Sequence, residues 1–467
     1  MNVREEARKM KLAAPYMAAK SMEERNAALA RIIEALEQNR EAIFRENELD
    51  VAAAKEANVA QAVIKRLKFD ENKLRDAIAG IRQMIGLPDP VGKITLSREL
   101  DEGLLLQRVS VPIGVIGVIF EARPDALIQI SALCIKSGNC AILKGGKETA
   151  RTNRILFGLV HRAAVAAGLP ESCLLQVELH NEIDELLQCQ GDVDLLIPRG
   201  SNQFVQYIMD NTNIPVMGHA AGICHIYLDE KADLAKAIPV IVDAKTQYPA
   251  VCNATETLLV NRRIAETALP AVLKALVQAG VKLRGSQEVA ELVKKLGDAG
   301  KLGDPGAREM CDAGGPGGSQ KAAGQGAGRL DGLSFDVEVM GEEDFATEYT
   351  DLIISLKLVE DVAEAADHIN KFGSHHTDCI LTEDDKAADY FMQMVDSAGV
   401  YRNCSTRFAD GFRYGFGAEV GVSTGKLHAR GPVGLDGLVT YKYRLTGQGH
   451  LVGDYVSGKK EFHHRDL

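Results

Sequence analysis

The 467-residue sequence predicts an α/β fold with two doubly wound, Rossmann-type domains and a β-ribbon. From Val115 to about residue 400, short apolar runs alternate with amphipathic segments, which favours parallel sheets with helical crossovers. Residues 3–87 are rich in helix-forming residues, and their apolar positions recur at helical spacing. Two alternating segments within 94–112, joined by the turn Asp101-Glu102-Gly103, predict an antiparallel pair of strands.

Each element has a local signal. In the first helical segment, Ala28, Ile32, Ile33, Leu36 and Ile43 fall on one face and charged residues on the other. The later apolar runs have the length of buried strands. The predicted strands are Gly114–Phe120, Cys140–Lys144, Cys173–Val177, Val193–Ile197, Ile223–Tyr227, Thr257–Val260, Leu352–Leu356 and Leu438–Tyr443. The predicted helices among them are Ala126–Lys136, Thr152–Ala167 and Ala268–Gln278.

Composition and charge limit the classes of function. The chain carries 54 Lys and Arg against 65 Asp and Glu, a net charge of -11, which disfavours non-specific nucleic-acid binding. Its nine cysteines form no C-x-x-C pair, so we interpret them as reduced thiols rather than a zinc ribbon. The polar N-terminus does not indicate a signal peptide. The longest apolar stretch, Val109–Phe120, is too short to span a membrane. We expect a cytoplasmic protein.

Residues 297–332 differ in composition from the rest of the chain. They are rich in glycine and poor in large apolar residues, so they cannot bury enough surface to offset the entropy of ordering. They lack the G-x-x-x-x-G-K-[ST] pattern of a phosphate-binding loop. The segment is predicted to be a mobile surface insertion.

Cys252 stands in an unusual context. The run from Gln247 to Thr255 places this thiol among small and polar residues, just before an apolar strand. A cysteine becomes a nucleophile where positive charge or backbone dipoles stabilise the thiolate. Free cysteines are, however, commonly small buried hydrophobes, so local context leaves both interpretations open.

Longer motifs point to a family. Three segments resemble motifs of the aldehyde dehydrogenase superfamily and occur in the order usual for that superfamily: Val111–Ile119, Gly138–Lys144 and Gln247–Cys252. More narrowly, four segments resemble the gamma-glutamyl phosphate reductase family: Phe120–Asp125, Gly222–His225, Ser405–Gly411 and Gly417–Pro432. The resemblance covers nearly all of the chain except the glycine-rich segment. It implies an aldehyde dehydrogenase-like fold and the NADPH-dependent reduction of L-glutamyl 5-phosphate to L-glutamate 5-semialdehyde and phosphate, in proline biosynthesis.

The resemblance also implies catalytic roles. Cys252 would attack the acyl phosphate and form a thioester, with its own backbone N–H donating to the oxyanion. The superfamily's second oxyanion donor, an Asn, aligns with Ala122, which leaves Arg123 and Asn253 as candidates. The Glu that activates water in hydrolytic members aligns with His219, which is either a proton shuttle or a packing residue. The missing carboxylate suits an enzyme that keeps water from its thioester.

Two other functions stay open on the sequence. A general hydrolytic aldehyde dehydrogenase would release free acid, and His219 counts against it. A catalytically silent binding protein could retain the fold, but the presence of Cys252 and Lys144 together with segment 405–432 argues against that.

NADP(H) is the expected cofactor. Lys144 aligns with the ribose-contacting Lys of the superfamily, and Lys147 replaces a Glu that is common in NAD-preferring members. A cation there suits the 2′-phosphate of NADP. Arg199-Gly200-Ser201 opens a helix whose amides could hold the pyrophosphate, and Glu348 matches the carboxylate that contacts the nicotinamide ribose.

The substrate carries phosphate, carboxylate and ammonium groups, so cations are expected around it. Residues 401–430 contain more Arg and Lys than Asp and Glu, and arginine suits bidentate capture of carboxylate or phosphate. No metal is expected, and His375-His376 is interpreted as part of a loop between domains. The candidate substrate-binding residues are Arg123, Arg407, Lys426, His428 and Arg430.

The resemblance also divides the chain. Residues 1–92 and 113–228 are assigned to an NADP-binding domain, and residues 229–430 to a catalytic domain. Residues 93–112 and 431–467 are assigned to an oligomerisation element, because a late strand with an open edge invites pairing with another subunit. We expect a homodimer or homotetramer that receives its substrate from a separate glutamate kinase.

Overall fold

The computed structural model describes residues 2–121, 123–179, 181–219, 221–298 and 336–467. The chain forms two compact units. The first consists of Met1–Ala220 and Asp410–Leu467, and the second of Ala221–Ala409. Ala122 and residues 299–332 of the glycine-rich segment, both named in the sequence predictions, lie outside the described residues.

The first unit opens with helices. They are α1 (Val3–Ala18), α2 (Met22–Gln38), α3 (Arg40–Glu56), α4 (Gln61–Leu67) and α5 (Glu71–Ile85). Helix α2 begins with a capping box, in which Ser21 and Glu24 satisfy each other's backbone N–H groups. Ala28, Ile32, Ile33, Leu36 and Ile43 are all buried, as the predicted apolar face requires. The first four lie on α2, but Ile43 lies on α3, so the prediction of one shared helix face is wrong for Ile43.

A parallel sheet follows, preceded by two antiparallel strands. The elements are β1 (Ile94–Asp101), β2 (Leu104–Pro112), β3 (Val115–Phe120), α6 (Pro124–Lys136), β4 (Cys140–Lys144), α7 (Ala150–Ala166), β5 (Leu174–Val177), α8 (Asn181–Leu187), β6 (Leu195–Arg199) and α9 (Asn202–Asp210). The sheet has the strand order β5-β4-β3-β6, and all its pairings are parallel. Its strands are mostly buried on both faces, as expected of a parallel sheet covered by helices.

The second unit has a seven-stranded parallel sheet. Its elements are β7 (Cys224–Leu228), α10 (Leu234–Thr246), β8 (Thr255–Asn261), α11 (Ala265–Gln278), β9 (Lys282–Gly285), α12 (Gln287–Asp298), β10 (Val337–Val339), β11 (Ile353–Val359), α13 (Val362–Phe372), β12 (Thr377–Leu381), α14 (Asp385–Met394) and β13 (Gly399–Arg402). The strand order is β10-β9-β11-β8-β7-β12-β13. The predicted α/β class is confirmed.

The unit boundaries differ from the sequence assignment at two places. Strand β7 was assigned with residues 113–228, but it pairs with β8 and β12 and so belongs to the second sheet. Residues 410–430 were assigned to the catalytic domain, but they fall in the first unit. The alternation of strands and helices does not show which sheet a strand joins, since that depends on its hydrogen-bonded neighbours.

The last strands return to the first unit. They are β14 (Gly421–Ser423), β15 (Gly431–Val433), β16 (Val439–Thr446) and, after the short helix α15 (Val452–Val456), β17 (Arg465–Asp466). An antiparallel sheet has the order β16-β2-β1-β17, which confirms the predicted ribbon and the late strand beside it. Among the described helices, none combines the length and hydropathy needed to cross a membrane.

Candidate active site

Cys252 lies in the loop between α10 and β8. Its side chain is partly exposed, as is that of Cys404, whereas the other cysteines in the described part of the chain are buried. Burial raises the pKa of Cys134 and Cys173 to about 12 and that of Cys189 to about 11. Burial also raises the pKa of Cys404. Because the thiolate is the nucleophile, these environments disfavour reactivity, and exposure favours the cysteine that the sequence singled out.

Three neighbouring strands bring further groups to Cys252. Strands β8, β7 and β12 are adjacent and parallel, so their amino ends meet at one edge of the sheet. Cys252 precedes β8, Gly222 precedes β7 and His376 precedes β12. A ring nitrogen of the buried His376 lies within 4.8 Å of Cys252 Sγ. Catalytic hydrogen bonds can be long before substrate binds, so His376 is a candidate proton acceptor for the sulfur.

The segment before β7 packs directly on the nucleophile loop. A Cβ built on Gly222 would overlap the backbone of Cys252, so the approach requires glycine. Cys224 Sγ donates a hydrogen bond to Cys252 O at 3.3 Å. Ile223 N donates to Ser374 Oγ at 2.7 Å, which holds the segment in turn.

The segment around residue 407 holds the same loop through other bonds. Asn253 Nδ2 donates to Ala409 O at 2.8 Å, and Thr406 Oγ1 donates to Asn253 O at 2.6 Å. Arg407 is 8% exposed, and its Nε donates to Gln247 Oε1 at 3.0 Å. The structure therefore brings Arg407 to the Cys252 loop. Asn253 gives one amide hydrogen to the protein itself, so only the other hydrogen is left for the oxyanion role that we predict.

The predicted cofactor residues of the first unit lie at the carboxyl edge of its parallel sheet. Lys144 ends β4 and Arg199 ends β6, at the edge where open α/β sheets bind ligands. Lys144 is 6% exposed, and its Nζ donates to Gly145 O at 2.6 Å. Burial lowers the pKa of Lys144, while the charges of nearby glutamates oppose that shift. Lys147 follows in a short turn and is exposed.

A carboxylate lies at the start of α9. The backbone N–H of Ser201 donates to Glu121, and a Cβ built on Gly200 would lie 2.8 Å from Glu121 Cδ. Burial raises the pKa of Glu121, and the Ser201 bond opposes that shift. The amide end of this helix therefore holds an anionic oxygen, as helix N-termini favour.

The other predicted residues are distributed over both units. In the first unit, His219 Nδ1 donates to Val422 O at 2.9 Å and His428 Nε2 donates to Val439 O at 2.8 Å. Each ring therefore uses one nitrogen on a backbone carbonyl. The remaining positions are as follows: Arg123 and Lys426 are exposed and Arg430 is partly buried in the first unit, and Glu348 is partly buried in the second.

The sequence of the chain matches a known protein family and its members. The model of the aldehyde dehydrogenase family matches residues 1–419. The chain belongs to the aldehyde dehydrogenase family. A gamma-glutamyl phosphate reductase of Ruminiclostridium cellulolyticum is 47% identical over 467 residues, 100% of this chain and 98% of that protein. One of Pelotomaculum thermopropionicum is 49% identical with the same coverage.

A solved structure agrees with these relatives. The crystal structure of gamma-glutamyl phosphate reductase from Thermotoga maritima has a TM-score of 0.86 and 36% identity, and covers 97% of this chain and 100% of that one. An acetylating aldehyde dehydrogenase from Geobacillus thermoglucosidasius, at 16% identity and a TM-score of 0.59, shares the fold alone. The predicted resemblance to gamma-glutamyl phosphate reductases is confirmed, and with it an oxidoreductase of the nicotinamide-dependent aldehyde dehydrogenase family. A general hydrolytic aldehyde dehydrogenase is less supported.

Sequence reasoning did not single out three residues that contact or lie near the predicted positions within their own units. His376 was interpreted as part of a loop between domains, and Gly222 and Glu121 were quoted only inside longer motifs. A signal was available for His376 and Gly222, since each directly precedes an apolar strand, as Cys252 does. If those strands had been predicted to pair as parallel neighbours, Cys252, Gly222 and His376 would have been placed at one edge of the sheet. No spacing rule indicates that Glu121 reaches Ser201.

Proposed function

We propose that the chain reduces L-glutamyl 5-phosphate through a thioester on Cys252. The surroundings of Cys252 carry this proposal. Its partly exposed thiol stands on a loop held by Cys224 on one side and Thr406 on the other, with a ring nitrogen of His376 within 4.8 Å. A thiol beside a base and on a fixed loop has the features of a covalent catalyst.

The first step transfers the acyl group to sulfur. The Cys252 thiol gives its proton to His376, the sulfur bonds to the acyl carbon, and the bond from that carbon to the phosphate oxygen breaks. Inorganic phosphate leaves as a stable anion, so little is asked of a general acid. The backbone N–H of Cys252 donates to the oxyanion of the tetrahedral intermediate.

NADPH, when bound, supplies the hydride that converts the acyl group to the aldehyde level. Cys252 then releases the semialdehyde as its carbon–sulfur bond breaks, and His376 returns its proton to the sulfur, which restores the starting thiol. The donor groups suit NADPH, because the exposed ammonium of Lys147 matches a 2′-phosphate. The residues proposed to hold it are Lys144, Lys147, Arg199, Gly200, Ser201 and Glu348.

An anion site at α9 supports this assignment. The Ser201 N–H that holds the Glu121 carboxylate can hold a pyrophosphate oxygen instead, since both are anionic oxygens on a helix N-terminus. Lys144 ends β4, which β3 separates from β6, and lies at the same edge of the sheet as the start of α9. Specificity for NADP over NAD is the part of this proposal that depends on Lys147.

The substrate's anionic groups are proposed to meet Arg123, Arg407, Lys426, His428 and Arg430. Arg407 has the strongest support, because its guanidinium is bonded to the loop that carries Cys252. An arginine guanidinium can bind a carboxylate or phosphate group through two parallel hydrogen bonds, which suits an anionic substrate. His219 stays predicted as either a proton shuttle or a packing residue, and the absence of a carboxylate at this position would protect the thioester from activated water.

We also propose a homodimer or homotetramer that works in the cytoplasm, where Cys252 would stay reduced. Strand β16 ends its sheet and exposes Tyr441, Tyr443 and Leu445, each more than half exposed. An open strand edge with apolar side chains suits pairing with a second copy. The unstable acyl phosphate would come from a separate glutamate kinase.

The decisive test compares two single cysteine variants. Cys252→Ala should lower the phosphate-dependent reduction of NADP by glutamate 5-semialdehyde on the order of 10³-fold or more, because the covalent step is lost. Cys404→Ala, the matched partly exposed cysteine, should keep the activity. An active Cys252→Ala enzyme would reject the mechanism. Release of free glutamate without phosphate would favour a hydrolytic dehydrogenase instead.

A further inference from the structure

A buried ion pair spans the base of the nucleophile loop. Lys245 lies in the last turn of α10 and Glu256 is the second residue of β8, so the two flank Cys252 in sequence. Lys245 Nζ lies 2.6 Å from Glu256 Oε2, and the side chains are 0% and 1% exposed. The pair therefore closes the loop at both of its ends.

Stability alone is a poor explanation for this pair. Moving two charges out of water costs several kcal/mol per ion, and packed apolar residues of similar volume are often neutral or better. Burial raises the pKa of Glu256 and lowers that of Lys245, and each partner's charge opposes the other's shift. The two charged forms are thus held together by their contact, which fixes the geometry of whatever they join.

The second oxygen of Glu256 reaches another segment. Glu256 Oε1 accepts a hydrogen bond from Thr350 N at 3.4 Å, and the negative charge of Glu348 acts on the same carboxylate. Thr350 has a φ of 54°, in the left-handed region, so its turn needs an external contact to hold it. Tyr349, between them, bonds to Ser355 Oγ at 2.8 Å.

We propose that Lys245 and Glu256 form a positioning pair that sets the Cys252 loop and the 348–350 turn to one geometry. One carboxylate bonds to both, through Lys245 on one side and Thr350 on the other. The inference rests on the proposed function, in which Cys252 is the nucleophile and Glu348 binds the nicotinamide ribose. Neither member of the pair is proposed to touch the substrate.

Two measurements distinguish a positioning role of the pair from a purely electrostatic role and from a purely structural one. The first is the rate at which iodoacetamide alkylates Cys252 in the absence of substrate and cofactor, resolved by peptide mass spectrometry. The second is the dissociation constant for NADPH, measured by fluorescence titration. The variants are Glu256→Gln, Lys245→Met and the double variant, and thermal unfolding is recorded for each.

Positioning predicts slower alkylation, by about tenfold or more, and weaker NADPH binding in both single variants and in the double variant. A purely electrostatic role predicts opposite signs, because Glu256→Gln leaves an unpaired cation that favours the thiolate and Lys245→Met leaves an unpaired anion. A purely structural role predicts a lower melting temperature in the single variants and normal reactivity in the uncharged double variant. Either of these results would overturn the proposal.

The control removes two buried hydrogen bonds elsewhere in the same unit. Tyr227 OH donates to Asp229 Oδ1 at 3.0 Å and accepts from Asn261 Nδ2 at 2.9 Å, so Tyr227→Phe should lower stability with little effect on Cys252 alkylation. A control that slows alkylation as much as Glu256→Gln would also refute a specific role for the pair. Alkylation needs no turnover, so the pair is tested even where Cys252→Ala retains activity and the proposed reaction fails.

Discussion

Gly222→Ala is the smallest change that tests whether the position of Cys252 is set by its neighbours. Several glycines of the chain have a left-handed φ, but Gly222 does not, so its backbone conformation does not exclude alanine. The obstacle is space, because the new methyl group would overlap the main chain of Cys252. Main-chain atoms cannot rotate away as a flexible side chain can, so one of the two segments must move.

The size of the movement follows from ordinary contact distances. Carbon atoms pack at about 3.5–4.0 Å, so relieving this overlap requires a shift of about 1 Å or more. Overpacking of this kind costs about 1–3 kcal/mol of folding free energy. A displacement of about 1 Å at a reacting group lowers the rate about 10²-fold, or about 2.7 kcal/mol in the barrier. The loss of activity should therefore exceed what partial unfolding explains.

The assay pairs kcat for NADP reduction with thermal unfolding. Gly341→Ala is the matched control, because a Cβ at Gly341 would meet nothing closer than Asp344 Oδ2 at 3.9 Å. We expect Gly222→Ala to stay folded at assay temperature with a kcat lowered about 10²-fold, and Gly341→Ala to match the wild type. A Gly222→Ala enzyme with normal kcat would show that the Cys252 loop tolerates displacement, and the reasoning from this contact would be wrong.

Two further predictions concern charge. Lys147→Glu should raise the KM for NADPH about tenfold or more while leaving that for NADH little changed, since a charge-assisted bond to the 2′-phosphate is replaced by repulsion; equal effects on both cofactors in steady-state kinetics would contradict it. Burial lowers the pKa of His368 to about 2. Below about pH 6.5 the unfolded chain therefore binds a proton at this histidine that the folded chain does not bind. The free energy of unfolding should fall by about 1.4 kcal/mol per pH unit below that value, and His368→Gln should flatten the fall in urea titrations.

Much of the fold follows from local patterns. Strand β4 was predicted at its observed bounds, Cys140–Lys144, because a continuous apolar run between turn residues has one plausible structure. The membership of β7 was not predictable in the same way. Its residues are buried like those of β3, and only hydrogen bonding to β8 and β12 places it in the second sheet. Sheet membership is a long-range property.

The candidate site shows the same division between local and long-range information. Cys252 and Arg407 could be named from the sequence because family motifs mark them. His376 could not, because two adjacent histidines before a strand indicate nothing by themselves, and its proximity to Cys252 follows from parallel pairing across β8, β7 and β12. The contact of Lys245 with Glu256 is equally invisible in the sequence, since a loop of unknown path separates them.

The division of the proposed chemistry between the units has a consequence for how variants should group. The contacts described for the Cys252 loop, from Gly222 to Ala409, lie within the second unit, whereas Lys144, Lys147 and the start of α9 lie within the first. Substitutions such as Gly222→Ala should therefore change the intrinsic reactivity of the thiol, which needs no cofactor. Substitutions such as Lys147→Glu should change cofactor binding and leave alkylation of Cys252 unaltered. If Lys147→Glu slowed that alkylation as strongly as Gly222→Ala does, the nucleophile would not be set by its own unit, and the separation of acyl transfer from recognition of the cofactor's phosphate groups would be wrong.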